Sequence, residues 1–110
     1  MTPFVRVYEA LCSAGIPGTY VAYQEGKAPP LPWFTYMERR GGEVFASDTN
    51  YSKVQHFRAE LYQRENDPEL RESFEAAVAS LGPYKSYTTW IPTEQCLMTS
   101  YDFSVPHYNE

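Results

Sequence analysis

Residues 66–83 constrain the fold more than any other stretch of this sequence. Asn66-Asp67-Pro68-Glu69 opens a helix: Asp67 can accept from orphan amides of the first turn, Pro68 has a fixed φ and no amide to leave unpaired, and Glu69 faces the positive helix end. Leu70, Phe74, Ala77, Val78 and Leu81 follow at helical spacing, Arg71, Glu72 and Glu75 take the wet side, and Gly82-Pro83 is the stop. So short an amphipathic helix persists only when something covers its apolar stripe. The flanking segments have the period of strands and supply that cover.

Before the helix, Gln55, Phe57, Ala59 and Leu61 alternate with Val54, His56, Arg58 and Glu60, which predicts a strand over residues 53–62 with one buried face and His56 on the polar one. After it, residues 84–91 (YKSYTTWI) are β-rich, Pro92-Thr93-Glu94 forms a turn, and Leu97, Thr99, Tyr101 and Phe103 share one face of residues 95–105. These last two runs close a hairpin. Residues 106–110 are polar and expected to fray.

Toward the N-terminus, Thr2-Pro3 reads as a cap and first helical position, and Phe4, Tyr8 and Leu11 with Val5 and Cys12 form the stripe of a first helix, stopped by Gly15 and Pro17. Strands are expected at residues 19–23 and 33–37, joined by a stiff loop in which Pro29, Pro30 and Pro32 lack backbone donors. Residues 37–53 mix charge, a Gly pair and turn formers (ERRGGEVFASDTNYS at 38–52) and read as a long hairpin loop. Loops of that length in small domains usually carry function or mobility, which makes Arg39, Arg40, Val44, Phe45, Asp48 and Tyr51 the candidate interface residues. Phe45 folding back on the sheet is an equal alternative. The order is α-β-β-β-α-β-β: an α+β fold in which two helices pack on one face of an antiparallel sheet of four to five strands, with sequential strands paired.

At 110 residues with 43% apolar content, the chain has material for one core and one domain. Nine Lys plus Arg against fourteen Asp plus Glu give −5, so the surface as a whole repels nucleic acid, although a local basic patch is compatible with that total. Arg39-Arg40 is the one adjacent basic pair and reads as a solvated loop. Cys12 on a helix and Cys96 on a strand, without a CxxC or Cys/His cluster, read as reduced small apolar residues rather than a disulfide, and so as residues of an intracellular assembly compartment. The N-terminus lacks the apolar run of a signal peptide, and no stretch approaches the roughly 20 apolar residues of a membrane span.

The inventory for chemistry is thin. Two histidines, unpaired cysteines and serines without flanking elbow glycines give no nucleophile-base pair. Glu60, Glu65, Asp67, Glu69, Glu72 and Glu75 read as a hydrated acidic surface around the second helix, and Asp48-Thr49-Asn50 lacks the glycine and closing glutamate of a calcium loop. Gly41-Gly42 has neither the Lys-Ser/Thr of a P-loop nor a helix start. No enzyme activity, cofactor or metal is expected. The tyrosine-rich strand 84–90 could stack bases, but few cations interleave with it.

Over nearly its whole length the chain resembles the tail-completion, or tail-terminator, proteins of long-tailed bacteriophages and prophages. The similar pieces are Tyr8-Glu9-Ala10-Leu11 with Gly15-Ile16-Pro17 and Tyr20, then Ala28-Pro29-Pro30-Leu31-Pro32-Trp33-Phe34-Thr35-Tyr36. Phe45-Ala46-Ser47-Asp48 with Tyr51, Glu60-Leu61-Tyr62, Asp67-Pro68-Glu69-Leu70 and Thr93-Glu94-Gln95 follow in the same order. Arg39-Arg40-Gly41-Gly42 departs from the pattern, so loop contacts transfer least. The resemblance implies a structural virion protein that joins a ring, commonly of six copies, at the head-proximal end of the tail tube. Its implied partners are copies of itself, the tail tube protein and the head-tail connector. No membrane is involved, and genomic DNA only passes through the bore. The implied location is the head-tail junction, with the host cytoplasm during assembly. A head-side neck adaptor or minor capsid protein is a close alternative; a small ligand-binding domain, with a pocket near Cys96 or His56, is one from a different class.

Overall fold

The computed structural model describes residues 3–39 and 54–106. Its elements run α1 (Pro3–Cys12), β1 (Gly18–Tyr20), β2 (Trp33–Glu38), β3 (Val54–Gln63), α2 (Pro68–Ala79), β4 (Tyr84–Ile91) and β5 (Cys96–Pro106). The strands form one five-stranded sheet in the order β1-β2-β3-β5-β4. This is the expected α+β order, and both helices pack on one face.

α2 starts as its sequence dictates: the Asp67 side chain accepts from the Leu70 amide at 3.3 Å, with Pro68 at the first helical position. Phe74, Ala77, Val78 and Leu81 are buried, and Phe74 lies between Phe34 of β2 and Tyr101 of β5, at ring separations of 5.6 and 5.5 Å. α1 differs from its expected stripe. Val7 and Leu11 are fully buried, while Val5 and Tyr8 are 43% and 40% exposed. Phe4, Val7 and Leu11 sit at i, i+3 and i+7, which is the true inward line; Tyr8 borders it and leans on Phe34 and Tyr36. Phe4 meets Phe57 edge-on at 5.4 Å.

β3 and β5 pair antiparallel along their length, from Val54 opposite Pro106 to Gln63 opposite Leu97. Their inward residues Phe57, Ala59, Leu61, Thr99, Tyr101, Phe103 and Val105 are buried, as alternation predicts. The closing hairpin is present too, with Tyr84 opposite Phe103 and Ile91 opposite Cys96. The expectation that sequential strands pair antiparallel fails at β1, which runs parallel to β2 with Gly18 opposite Phe34. Residues 21–32 provide the dozen-residue crossover that a parallel pair requires, here as proline-rich loop rather than helix. β1 also stops earlier than expected. Val21 takes φ +66 at the centre of a three-residue turn in which the Ala22 amide donates to the Tyr20 carbonyl at 2.8 Å. Gly18 is required where it stands: a Cβ there would fall inside the Phe34 ring.

The hairpin between β2 and β3 is shorter than the expected 37–53 loop, because Met37 and Glu38 pair with Arg58 and Phe57 as part of β2. Pro106 likewise ends β5 rather than beginning a frayed tail. Cys12 and Cys96 are free thiols. Among the described residues, no helix is long and apolar enough to cross a membrane.

Candidate functional site: the sheet face opposite the helices

Because side chains alternate, the residues between the buried positions all point to the side that carries no helix, and register aligns them in rows across the strands. At one end, Trp33, Tyr62, Met98 and Thr89 form an aromatic and apolar row. Next come Thr35, Glu60, Ser100 and Tyr87, of which Thr35 and Ser100 are themselves buried, then Met37, Arg58, Asp102 and Lys85. Arg39, His56 and Ser104 lie at the far end, where the Arg39 amide donates to the His56 carbonyl at 2.7 Å.

The far end is basic. Arg58 grips Asp102 with two hydrogen bonds, Nε to Oδ1 at 2.8 Å and Nη2 to Oδ2 at 3.3 Å, and Arg39 Nε stands 3.7 Å from the same Oδ1. The hydrogen bond from Arg58 holds the Asp102 carboxyl below its usual range, with the charges of Arg58, Arg39 and Lys85 adding to it. His56 Nδ1 shares a 2.8 Å hydrogen bond with Ser104 Oγ. A cleft of about 520 Å³ opens here, lined by Arg39, His56, Pro83, Lys85, Asp102 and Ser104 among others. Three cations thus surround one carboxylate in a chain whose formal charge is −5.

The other end is aromatic and acidic. Trp33 and Tyr62 rings lie 4.5 Å apart at 35°, and Tyr23 closes on Trp33 edge-on at 5.1 Å. Beside them a cleft of about 320 Å³ is lined by Leu31, Trp33, Tyr62, Ile91, Glu94 and Cys96. Glu94 comes from the β4–β5 turn, which is pinned by the Gln95 side chain donating to the Pro92 carbonyl at 2.9 Å. The Tyr62 hydroxyl donates to Glu60 at 2.8 Å, and burial, that hydrogen bond and the nearby carboxylates push its ionisation far above the ordinary tyrosine range. Burial raises the Cys96 thiol, and Glu94 raises it further.

A third cleft, of about 320 Å³, lies where the crossover loop meets the start of α2, lined by Pro32, Gln63, Asp67 and Leu70 among others. Gln63 is 2% exposed; its Nε2 donates to the Asp67 carbonyl at 3.3 Å, while Oε1 has no hydrogen-bond partner among the described residues.

Of the candidate interface residues, Arg39 is placed at the basic end of the open face; Arg40, Val44, Phe45, Asp48 and Tyr51 lie outside the described residues. The reading of Arg39 as part of a solvated loop pair is corrected: it is 35% exposed and engaged with Asp102. The acidic surface read around α2 is corrected at two positions. Glu75 pairs with Arg71 at 3.5 Å and accepts from the buried Tyr101 hydroxyl at 2.9 Å, and Glu60 belongs to the open sheet face. Trp33, Tyr62, Lys85, Glu94 and Asp102 were not among the candidate interface residues read from sequence. The period-two pattern places all but Glu94 and Trp33 on a definite strand face, but only register shows which of them are neighbours.

Among the described residues, no group of three or more His, Cys, Asp or Glu side chains is placed to hold a metal ion. No protein-family model matches the chain, and a comparison with curated proteins finds no match.

Proposed function

We propose that this chain is a structural subunit of the head-tail junction of a long-tailed phage or prophage, capping the head-proximal end of the tail tube within a ring of copies, commonly six. The support is the ordered set of motifs resembling tail-completion proteins, together with one feature of the sheet. One face is sealed by both helices; the other carries Met37 and Tyr87 at 40% and 65% exposure beside charged rows, and among the described residues β4 forms one edge of the sheet. A ring subunit needs two different patches to meet its neighbours, and a sheet face that carries no helix and has unlike ends offers them. The tail tube protein and the connector are its further partners in this reading, at the virion and, during assembly, in the host cytoplasm.

Electron microscopy of particles lacking this gene is the test. Overlong tails are the expected result; full heads beside free tails of normal length assign a joining or head-side adaptor role instead, and normal virions reject the proposal. A small-ligand domain is the second reading, favoured by clefts at both Cys96 and His56. Thermal-shift screening of metabolite-sized ligands tests it, and a flat response across the set rejects it.

A further inference from the structure

The open face is bipolar, and the two poles suit each other chemically. One pole offers Arg39, Arg58 and Lys85 around Asp102. The other offers Trp33 and Tyr62 rings with the Glu94 carboxylate in a cleft with no cation in its lining among the described residues. Aromatic faces with an adjacent carboxylate are the chemistry that receives an ammonium or guanidinium group. Along β3 the poles are four residues apart, from Tyr62 to Arg58, which is about 13 Å at strand rise. Lys85 therefore cannot fill the cleft of its own chain while staying on its strand.

We infer that the Trp33-Tyr62-Glu94 cleft is a receptor for a cationic side chain, and that its occupant is the Lys85-Arg39 pole of a second copy of this chain. The contact is taken as heterologous, as a ring requires: each copy gives its basic pole to one neighbour and receives that of another, instead of the reciprocal pairing that would close at two copies. It rests on the proposed function for the expectation that copies of this chain meet in a ring. What selects a second copy over an unrelated partner is charge complementarity, since this chain itself carries both halves of the contact. Glu60 lies between the poles and also acts on Arg58.

The test is sedimentation equilibrium of the whole chain up to about 1 mM, a range that detects weak contacts. Wild type is expected to form species larger than a dimer, dispersing as salt is raised. Glu94→Lys and Lys85→Glu are each expected to weaken association at least about tenfold. The double variant carrying both changes restores it, because the charges are exchanged across the same contact. Unchanged thermal unfolding of each single variant separates loss of contact from loss of fold. A wild type that stays monomeric, a dimer that does not extend, or a double variant no better than the singles overturns the inference. So does salt-dependent retention of a single-stranded oligonucleotide that Lys85→Glu abolishes, which assigns the basic pole to phosphate. The head-tail reading is judged separately, on particles, and survives any of these results.

Discussion

On the helix side of β3, Phe57, Ala59 and Leu61 have no solvent exposure; on the other side of the same strand, His56, Arg58, Glu60 and Tyr62 are all part-exposed. The helix side is held by burial and ring packing, as in the contacts of Phe74 with Phe34 and Tyr101. The open side is held by polar pairs between strands, such as Arg58–Asp102 and His56–Ser104. Burying an apolar ring contributes several times what a part-exposed ion pair does. The helix side therefore sets stability, which leaves the open side free to vary for recognition.

Truncations on the two faces should differ most. Phe74→Ala should cost about 3–5 kcal/mol in urea unfolding through lost burial and the cavity left behind, while Tyr87→Ala should stay within about 0.5 kcal/mol. Equal losses would remove the contrast. Gly18→Ala should cost about 1–3 kcal/mol, because a methyl group there displaces the Phe34 ring from the core. A neutral result would show that β1 is not locked against the helix side. Asp67→Ala should cost about 1 kcal/mol through the lost cap, read by the same unfolding curves.

The smallest effect belongs to the open face. A double-mutant cycle on Arg58 and Asp102 should give a coupling of about 0.2–1 kcal/mol. Its pH dependence has a definite sign. The folded Asp102 carboxyl titrates below its ordinary value of 3.8, so the coupling is complete above that value and is lost as pH falls through the lower folded one. A coupling that grew on acidification would contradict the geometry.

Much of the helix side was legible in the sequence. Asp67-Pro68 and Gly82-Pro83 bracket α2, and the alternation of Phe57, Ala59 and Leu61 marks β3, because these signals are local and repeat with the period of their element. Val7 was missed in α1 because Phe4-Val5 and Tyr8 offered a competing apolar line, and only the sheet beneath decides which line turns inward. The direction of β1 was also hidden, since a period-two pattern reads the same for a parallel and an antiparallel strand.

The candidate site was less legible for a related reason. Arg58 and Asp102 are 44 residues apart, and Trp33 meets Tyr62 across a hairpin whose register no local pattern fixes. Sequence by itself determined the elements, the cap of α2, and which strand face is apolar, because those follow from spacing along one chain segment. Only the tertiary structure decided that β5 lies between β3 and β4, and that the leftover polar residues sort into a basic pole and an aromatic, acidic one. Rows across a sheet depend on strand order and register, and both are set by how the buried faces of distant segments fit together.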